Sequence, residues 1–140
     1  MKIYIASSWK NQHAVEMLTS LLREEGHEVA SFVENNYEEG FGAAKGIPFE
    51  EWIHTPSAEL AFTYDTSSAA TSDLTIYISP SGKDAAAEVG IAWANKKPVL
   101  GLYAKGEDFG LMRKMVTVWF DRYPDLLNMI KRFHNPDFKI

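Results

Sequence analysis

Apolar residues recur along the chain in short runs separated by stretches of helical spacing. Residues 2–6, KIYIA, form a β-rich run, and the stretch 8–25 then places Val15, Leu18 and Leu22 on one helical face. Ser8 can cap that helix, and Gly26 stands where it should end. Residues 27–33 alternate as a second strand would. Strand, helix and strand so early in the chain predict a parallel sheet, because parallel neighbours need a crossover and a helix supplies it.

Periodicity lapses from 34 to 56, where NNYEEGFGAAKGIP mixes glycines, acids and apolar residues. A long irregular segment in a compact domain is expected to be a lid or a poorly ordered insertion. Tyr37, Phe41, Phe49 and Trp52 fit either a lid that packs on something or peripheral core over the sheet edge. A short helical turn is expected over 48–53. Ser57 can cap a helix over 58–72 with Leu60, Ala61, Tyr64 and Ser68 inward.

The stretch 72–103, SDLTIYISPSGKDAAAEVGIAWANKKPVLGLY, organises the rest. Its apolar run Leu74–Ile78 fits a strand buried on both faces, and Ser79-Pro80-Ser81-Gly82 breaks it with turn chemistry. An alanine-rich helix follows. Ser81 or Asp84 can cap it, Lys96-Lys97 mark its end, Pro98 stops it, and 99–103 forms the next strand. This is a βαβ unit with a right-handed crossover. Beyond it, 106–114 reads as a short helix, 116–120 as a fifth strand, and 123–133 as a last helix with Leu126, Leu127 and Ile130 inward. Residues 135–140 read as a tail. The alternation predicts an α/β, flavodoxin-like (Rossmann-like) three-layer sandwich whose five-stranded parallel sheet has the order 2-1-3-4-5.

Composition narrows the function. At 140 residues, 46% apolar and 24% charged, the chain is expected to be one domain spanning 1–140. A net charge of −5, with fourteen scattered Lys and Arg, argues against a nucleic acid polymer as partner but leaves a nucleoside or nucleotide open. The absence of cysteine excludes disulfides, a thiolate nucleophile and cysteine metal sites. His13, His27, His54 and His134 lack metal-ligand spacing, so neither a metal nor a cofactor is expected. The first apolar run ends at Ala6, too short for a signal peptide or membrane span, which predicts a soluble cytoplasmic protein with no membrane partner.

Glu88 stands out in the helix of the central unit. A solvated surface position is the common fate of a glutamate, yet Ala85, Ala86, Ala87, Val89, Ile91 and Ala92 surround this one with apolar neighbours. A carboxylate so placed needs a partner or a function. Helical side chains lean towards the N-terminus, which tilts Glu88 to the loop after the preceding strand, where ligands bind in open α/β sheets. Asp84 lies one turn earlier and reads as a second acid or as a cap. Neither a dinucleotide fingerprint nor a Walker A loop is present. The P-S-G-K of residues 80–83 still offers backbone N–H groups and a hydroxyl suited to a ligand hydroxyl or phosphate. Asp73 reads as a turn residue, and Trp9 as either a stacking platform or helix-to-sheet packing.

Three motifs have a family likeness. MKIYIASSWKN at the start, D-x-x-I-x-x-x-P-S-G-K from Asp73 to Lys83, and S-G-K-x-A-x-x-E-x-G-x-A-W-A-x-x-K-P-V from Ser81 to Val99 resemble the nucleoside 2-deoxyribosyltransferase-like family, in particular its short bacterial and phage members. L-M-x-K-M at Leu111–Met115 also fits, whereas the middle segment matches poorly. The resemblance implies an enzyme that cleaves or transfers the N-glycosidic bond of a small-molecule nucleoside or nucleotide, with Glu88 as nucleophile. It implies that Ser81 and Gly82 line the sugar 5′ position, that Ser7, Ser8 and Trp9 border the base, and that Asp73 helps hold the catalytic site. It also implies a homo-oligomer. The family's additional acid, six residues before the nucleophile, is replaced here by Gly82, so Asp84 would have to serve. Two other readings compete with this one. One is a TIR-like NAD glycohydrolase, which also sets a glutamate beside such a crevice, and the other is a non-catalytic nucleotide-binding module.

Overall fold

A computed structural model describes residues 1–35, 46–107, 110–133 and 137. Strand β1 (Lys2–Ala6) has four of its five residues buried and runs between β2 (Glu28–Ser31) and β3 (Leu74–Ile78). With β4 (Val99–Leu102) and β5 (Val118–Phe120) they form one parallel sheet of order β2-β1-β3-β4-β5, as the alternation of elements predicts. Successive residues of β1 serve opposite faces. Ile3 and Ile5 join Val15, Leu18 and Leu22 of α1 (Gln12–Glu24) in one cluster. Tyr4 and Ala6 join a second cluster across the sheet.

Helix α1 ends at Gly26, whose φ of 91° suits a residue without Cβ, and the chain turns directly into β2. Strand β2 stops at Ser31 rather than continuing to residue 33, giving way to α2 (Phe32–Asn35). Phe32 and Val33 are both buried in the same cluster. Consecutive strand residues point to opposite faces and cannot do this, whereas a helical turn can.

A short helix, α3 (Phe49–Trp52), fulfils the expected turn, and its Phe49 ring stays exposed. Tyr37, Phe41, His134 and the 135–140 tail apart from Asp137 lie outside the described residues. Helix α4 (Pro56–Thr71) starts earlier than expected. Its cap is Thr55, whose Oγ1 accepts from the Ala58 N–H at 3.3 Å, and Pro56 occupies the first turn, where its missing N–H costs nothing. Ser57 is therefore inside the helix. Leu60 points to solvent, while Ala58, Ala61, Ser68 and Ala69 are buried, because α4 packs closely on α5 (Lys83–Ala94) and small residues permit the approach.

In place of a helix over 106–114 the chain forms a 3-10 turn, Leu111–Met115. Strand β5 then begins at Val118, shorter than expected. Its Trp119 lies across Gly101 of β4, where any larger residue would meet the indole. The last helix, α6 (Tyr123–Arg132), buries Leu126, Leu127 and Ile130 beside α1, as read from the sequence. Helices α1 and α6 thus cover one face of the sheet, and α4 and α5 the other. Among the described residues, no helix is long and apolar enough to cross a membrane.

Candidate active site

Two buried polar residues and one half-buried acid meet where α4 and α5 lie over β1. Tyr4 of β1 is inaccessible to solvent, and Ala69 of α4 and Ala85 of α5 pack in its cluster. Glu88 of α5 is only 7% exposed, and its Oε2 is shielded and has no hydrogen-bond partner. Asp65 of α4 presents a shielded Oδ1 in the same condition. The Tyr4 hydroxyl makes no hydrogen bond of standard geometry, yet it lies near enough to both carboxyls to favour their anions. An unpaired buried polar atom costs about 1–3 kcal/mol, so three in one cluster mark a place adapted to something other than stability.

The electrostatics follow from burial. Loss of water pushes the Glu88 carboxyl from 4.5 up to about 8, with the Asp65 and Asp84 charges adding to the rise and Tyr4 opposing it. Burial likewise pushes Asp65 up to about 7, with Asp84 adding and Tyr4 opposing. The Tyr4 phenol is driven well above its ordinary value by burial and by Glu88 and Asp65. Asp84 sits exposed in the first turn of α5, where its charge meets the positive end of the helix dipole. Near neutral pH the two raised acids retain a proton between them, so the cluster offers one acid and one base.

Among the other candidates, Ser7 is buried at the end of β1, donating to the Ile78 carbonyl at 2.7 Å and accepting from Asn11 Nδ2 at 3.0 Å. Asn11 also donates to the Pro80 carbonyl at 2.7 Å, so these two side chains tie the β1 loop to the β3 loop. Ser8 Oγ is shielded and unpartnered. Trp9 meets Phe32 edge to face at 5.3 Å and packs on the α1 side of the sheet, away from Glu88. Ser81 Oγ donates to Tyr77 Oη at 2.6 Å, and exposed Gly82 precedes α5 as its N-cap. Neither Ser81 nor Asp84 caps the helix, since the serine hydroxyl is engaged by Tyr77 and Asp84 already lies within the first turn.

Asp73 requires a correction. It precedes β3 and therefore sits at the amino edge of the sheet, the length of the strand, about 16 Å at 3.3 Å per residue, from the edge where the β3 loop lies. Its Oδ2 accepts from the Lys2 N–H at 2.8 Å while its own N–H donates to the Lys2 carbonyl at 2.8 Å. Asp73 locks the β1–β3 register and does not reach Glu88.

Glu88 and Asp84 are thus brought together with two residues that the reading of the sequence missed, Tyr4 and Asp65. Asp65 had a usable signal. It lies four residues from both Ala61 and Ala69, so helical spacing alone sets it on the buried stripe. Among the described residues no group of acids and histidines could hold a metal ion.

No protein-family model matches the sequence, and no curated protein does. Solved structures do match. A 2-deoxyribosyltransferase from Bacillus psychrosaccharolyticus is 27% identical over 91% of each chain, with a TM-score of 0.71. A conserved protein from Enterococcus faecalis (18% identity, 95% of this chain and 98% of that one, TM-score 0.65) shares the fold. So does a CMP N-glycosidase from Clostridium botulinum (18%, 94% and 99%, TM-score 0.59). The likeness to the Bacillus enzyme, on this shared fold, agrees with the resemblance to the nucleoside 2-deoxyribosyltransferase-like family read from the sequence.

Proposed function

We propose that the protein cleaves or transfers the N-glycosidic bond of a nucleoside or nucleotide at the Tyr4–Asp65–Glu88 cluster. The observation that carries this reading is the buried, unpartnered Glu88 carboxyl facing a second raised acid. The description of the 27% identical neighbour as a 2-deoxyribosyltransferase supports the same class of reaction.

The pair's single proton rests more often on Glu88, whose carboxyl is raised further, and the productive state is the other form, with Glu88 ionised and the proton on Asp65. The Glu88 carboxylate attacks C1′, the C–N bond breaks, its electron pair goes to the base nitrogen, and Asp65 protonates the departing base. A glycosyl ester on Glu88 remains. An acceptor base or water then attacks C1′, giving up its proton to the Asp65 carboxylate, and Glu88 leaves as the anion. Tyr4 steadies that anion with its hydroxyl. Asp84, exposed in the first turn of α5, adds negative charge that helps to keep a proton on Asp65.

The test is chromatographic detection of free base after incubation with deoxynucleosides, ribonucleosides and their 5′-monophosphates, repeated with Glu88→Ala. Base release that depends on Glu88 supports the proposal, and a second base added to the mixture separates transfer from hydrolysis. Base release that survives in Glu88→Ala removes Glu88 from the chemistry. Nicotinamide release from NAD alone, or saturable binding without turnover, would replace this reading with one of its two rivals.

A further inference from the structure

The boundary between β1 and β3 is a switch point of the sheet, since the chain leaves β1 through α1 to β2 on one face and leaves β3 through α5 to β4 on the other. The ladder between these two strands ends at the pair Ala6 and Tyr77. Side chains carry it further. Ser7 Oγ donates to the Ile78 carbonyl at 2.7 Å, and Asn11 Nδ2 donates to Ser7 Oγ at 3.0 Å and to the Pro80 carbonyl at 2.7 Å. Both N–H bonds of the amide are thereby used across the boundary.

Asn11 holds the N-cap position of α1, where asparagine is favoured because its side-chain oxygen can accept from the first turn of the helix. It makes no such bond here. Instead the side chain reaches out of its own helix to the loop that leads into α5, on the opposite face of the sheet. That loop is held towards β4 by the Ser79 N–H, which donates to the Leu102 carbonyl at 2.9 Å. Towards β1 it is held by Asn11. Both ends of the bridge continue into the candidate site, because Ser7 follows the strand that carries Tyr4 and Pro80 precedes the helix that carries Glu88.

We infer that Asn11 is a positioning residue, whose two hydrogen bonds hold the start of α5 against the end of β1 and so keep Glu88 set against Tyr4. The inference rests on the reading of Tyr4, Asp65 and Glu88 as the site. Asn11 acts through the Pro80 carbonyl. Without that bond the loop of residues 79–82 loses its tie to β1, and the first turn of α5 is free to move over the sheet. Such a movement changes the spacing of Tyr4 and Glu88 directly, whereas Asp84 travels with Glu88 on the same helix and Asp65 stays on α4.

The test reads the Glu88 carboxyl without any substrate. The full chain carrying ¹³C-carboxyl glutamate is titrated with pH by NMR, the Glu88 signal being identified by its loss in Glu88→Gln. In the parent, Tyr4→Phe should raise the Glu88 midpoint, because the hydroxyl favours the anion. In an Asn11→Ala background the same substitution should move it by about half as much or less, since residues coupled through a shared network become independent when the network is cut. Asn11→Asp keeps the shape and a capping side chain but has no N–H to donate, so it should repeat the result and guards against a packing defect in the first variant. Where the parent releases base, Asn11→Ala should also lower kcat about 10–100-fold, the scale of a reacting group displaced by about 1 Å. A Tyr4→Phe shift of equal size in both backgrounds would overturn the inference, as would an unchanged kcat. Reduced coupling in a parent that releases no base would support the positioning role and count against the proposed reaction alone, so the two failures are told apart.

Discussion

The Tyr4 hydroxyl and the Glu88 carboxyl, one from β1 and one from the helix above it, interact in the interior where neither has a hydrogen bond of standard geometry. The phenol favours the Glu88 anion, and burial disfavours it. Burial is the larger effect, and so the carboxyl is pushed up to about 8. A site held in this way stores a cost in the folded state that a substrate can relieve.

That cost gives Glu88 a stability signature with a definite sign. Its carboxyl is raised in the folded protein from 4.5 to about 8, so between those pH values the unfolded chain binds fewer protons. Unfolding free energy should fall as pH rises through this window and be flat below it. Glu88→Gln lacks the ionisation and should exceed the parent at pH 8 by about 1–3 kcal/mol, with the gain fading towards pH 4.5. Urea denaturation at the two pH values measures it. In the same variant base release should drop about a thousandfold or more, as expected when the nucleophile is lost. A variant less stable than the parent at pH 8 would show that the carboxylate has a stabilising partner.

The paired acids should also shape the rate. Asp65 is raised to about 7 and Glu88 to about 8, and only the state with one proton between them has both a nucleophile and an acid. Base release should therefore rise as the first proton leaves, peak between pH 7 and 8, and fall as the second leaves. Asp65→Asn removes the alkaline limb, because no titrating acid remains, and lowers the maximum by about 10²–10⁴. A pH–rate profile of each protein decides the matter. An unchanged alkaline limb in Asp65→Asn would assign the proton to another group.

Tyr4→Phe separates function from stability. The hydroxyl lowers the carboxyls it faces, so its loss should move the acidic limb of the profile to higher pH and reduce kcat/KM about 10–100-fold, the range of a hydrogen bond to a charged group. Stability should stay level or improve, since a buried hydroxyl without a good partner is removed. A large drop in Tm would mean that the phenol supports the core rather than the reaction.

How much of this was legible in the sequence depends on the residue. The sheet order follows from strands alternating with helices, and the helix bearing Glu88 betrays the glutamate by its apolar neighbours. Tyr4 was hidden because an aromatic residue in a buried strand reads as core, and its polar end leaves no trace in the pattern. Asp65 was hidden by the Ala, Ser and Thr residues of α4, whose small side chains blur the contrast between the two faces. The cap at Thr55 lost out to Ser57 because both fit the motif, and only the position of Pro56 in the first turn decides between them.

Asp73 shows the opposite error, in which nearness along the chain stood in for nearness in space. Ligands in parallel α/β sheets bind at the carboxyl ends of strands, and a residue before β3 is at the other end. Its carboxylate is bound instead to the Lys2 N–H at 2.8 Å. Asp73→Ala should therefore lower stability by about 1 kcal/mol, the usual worth of such a bond, because the Lys2 N–H loses its acceptor and water replaces it only in part. The reciprocal backbone bond from Asp73 to Lys2 survives the substitution and limits the loss. Base release per folded molecule should match the parent, with KM and the pH profile unchanged. A kcat reduced more than about tenfold at constant folded fraction would return Asp73 to the catalytic set.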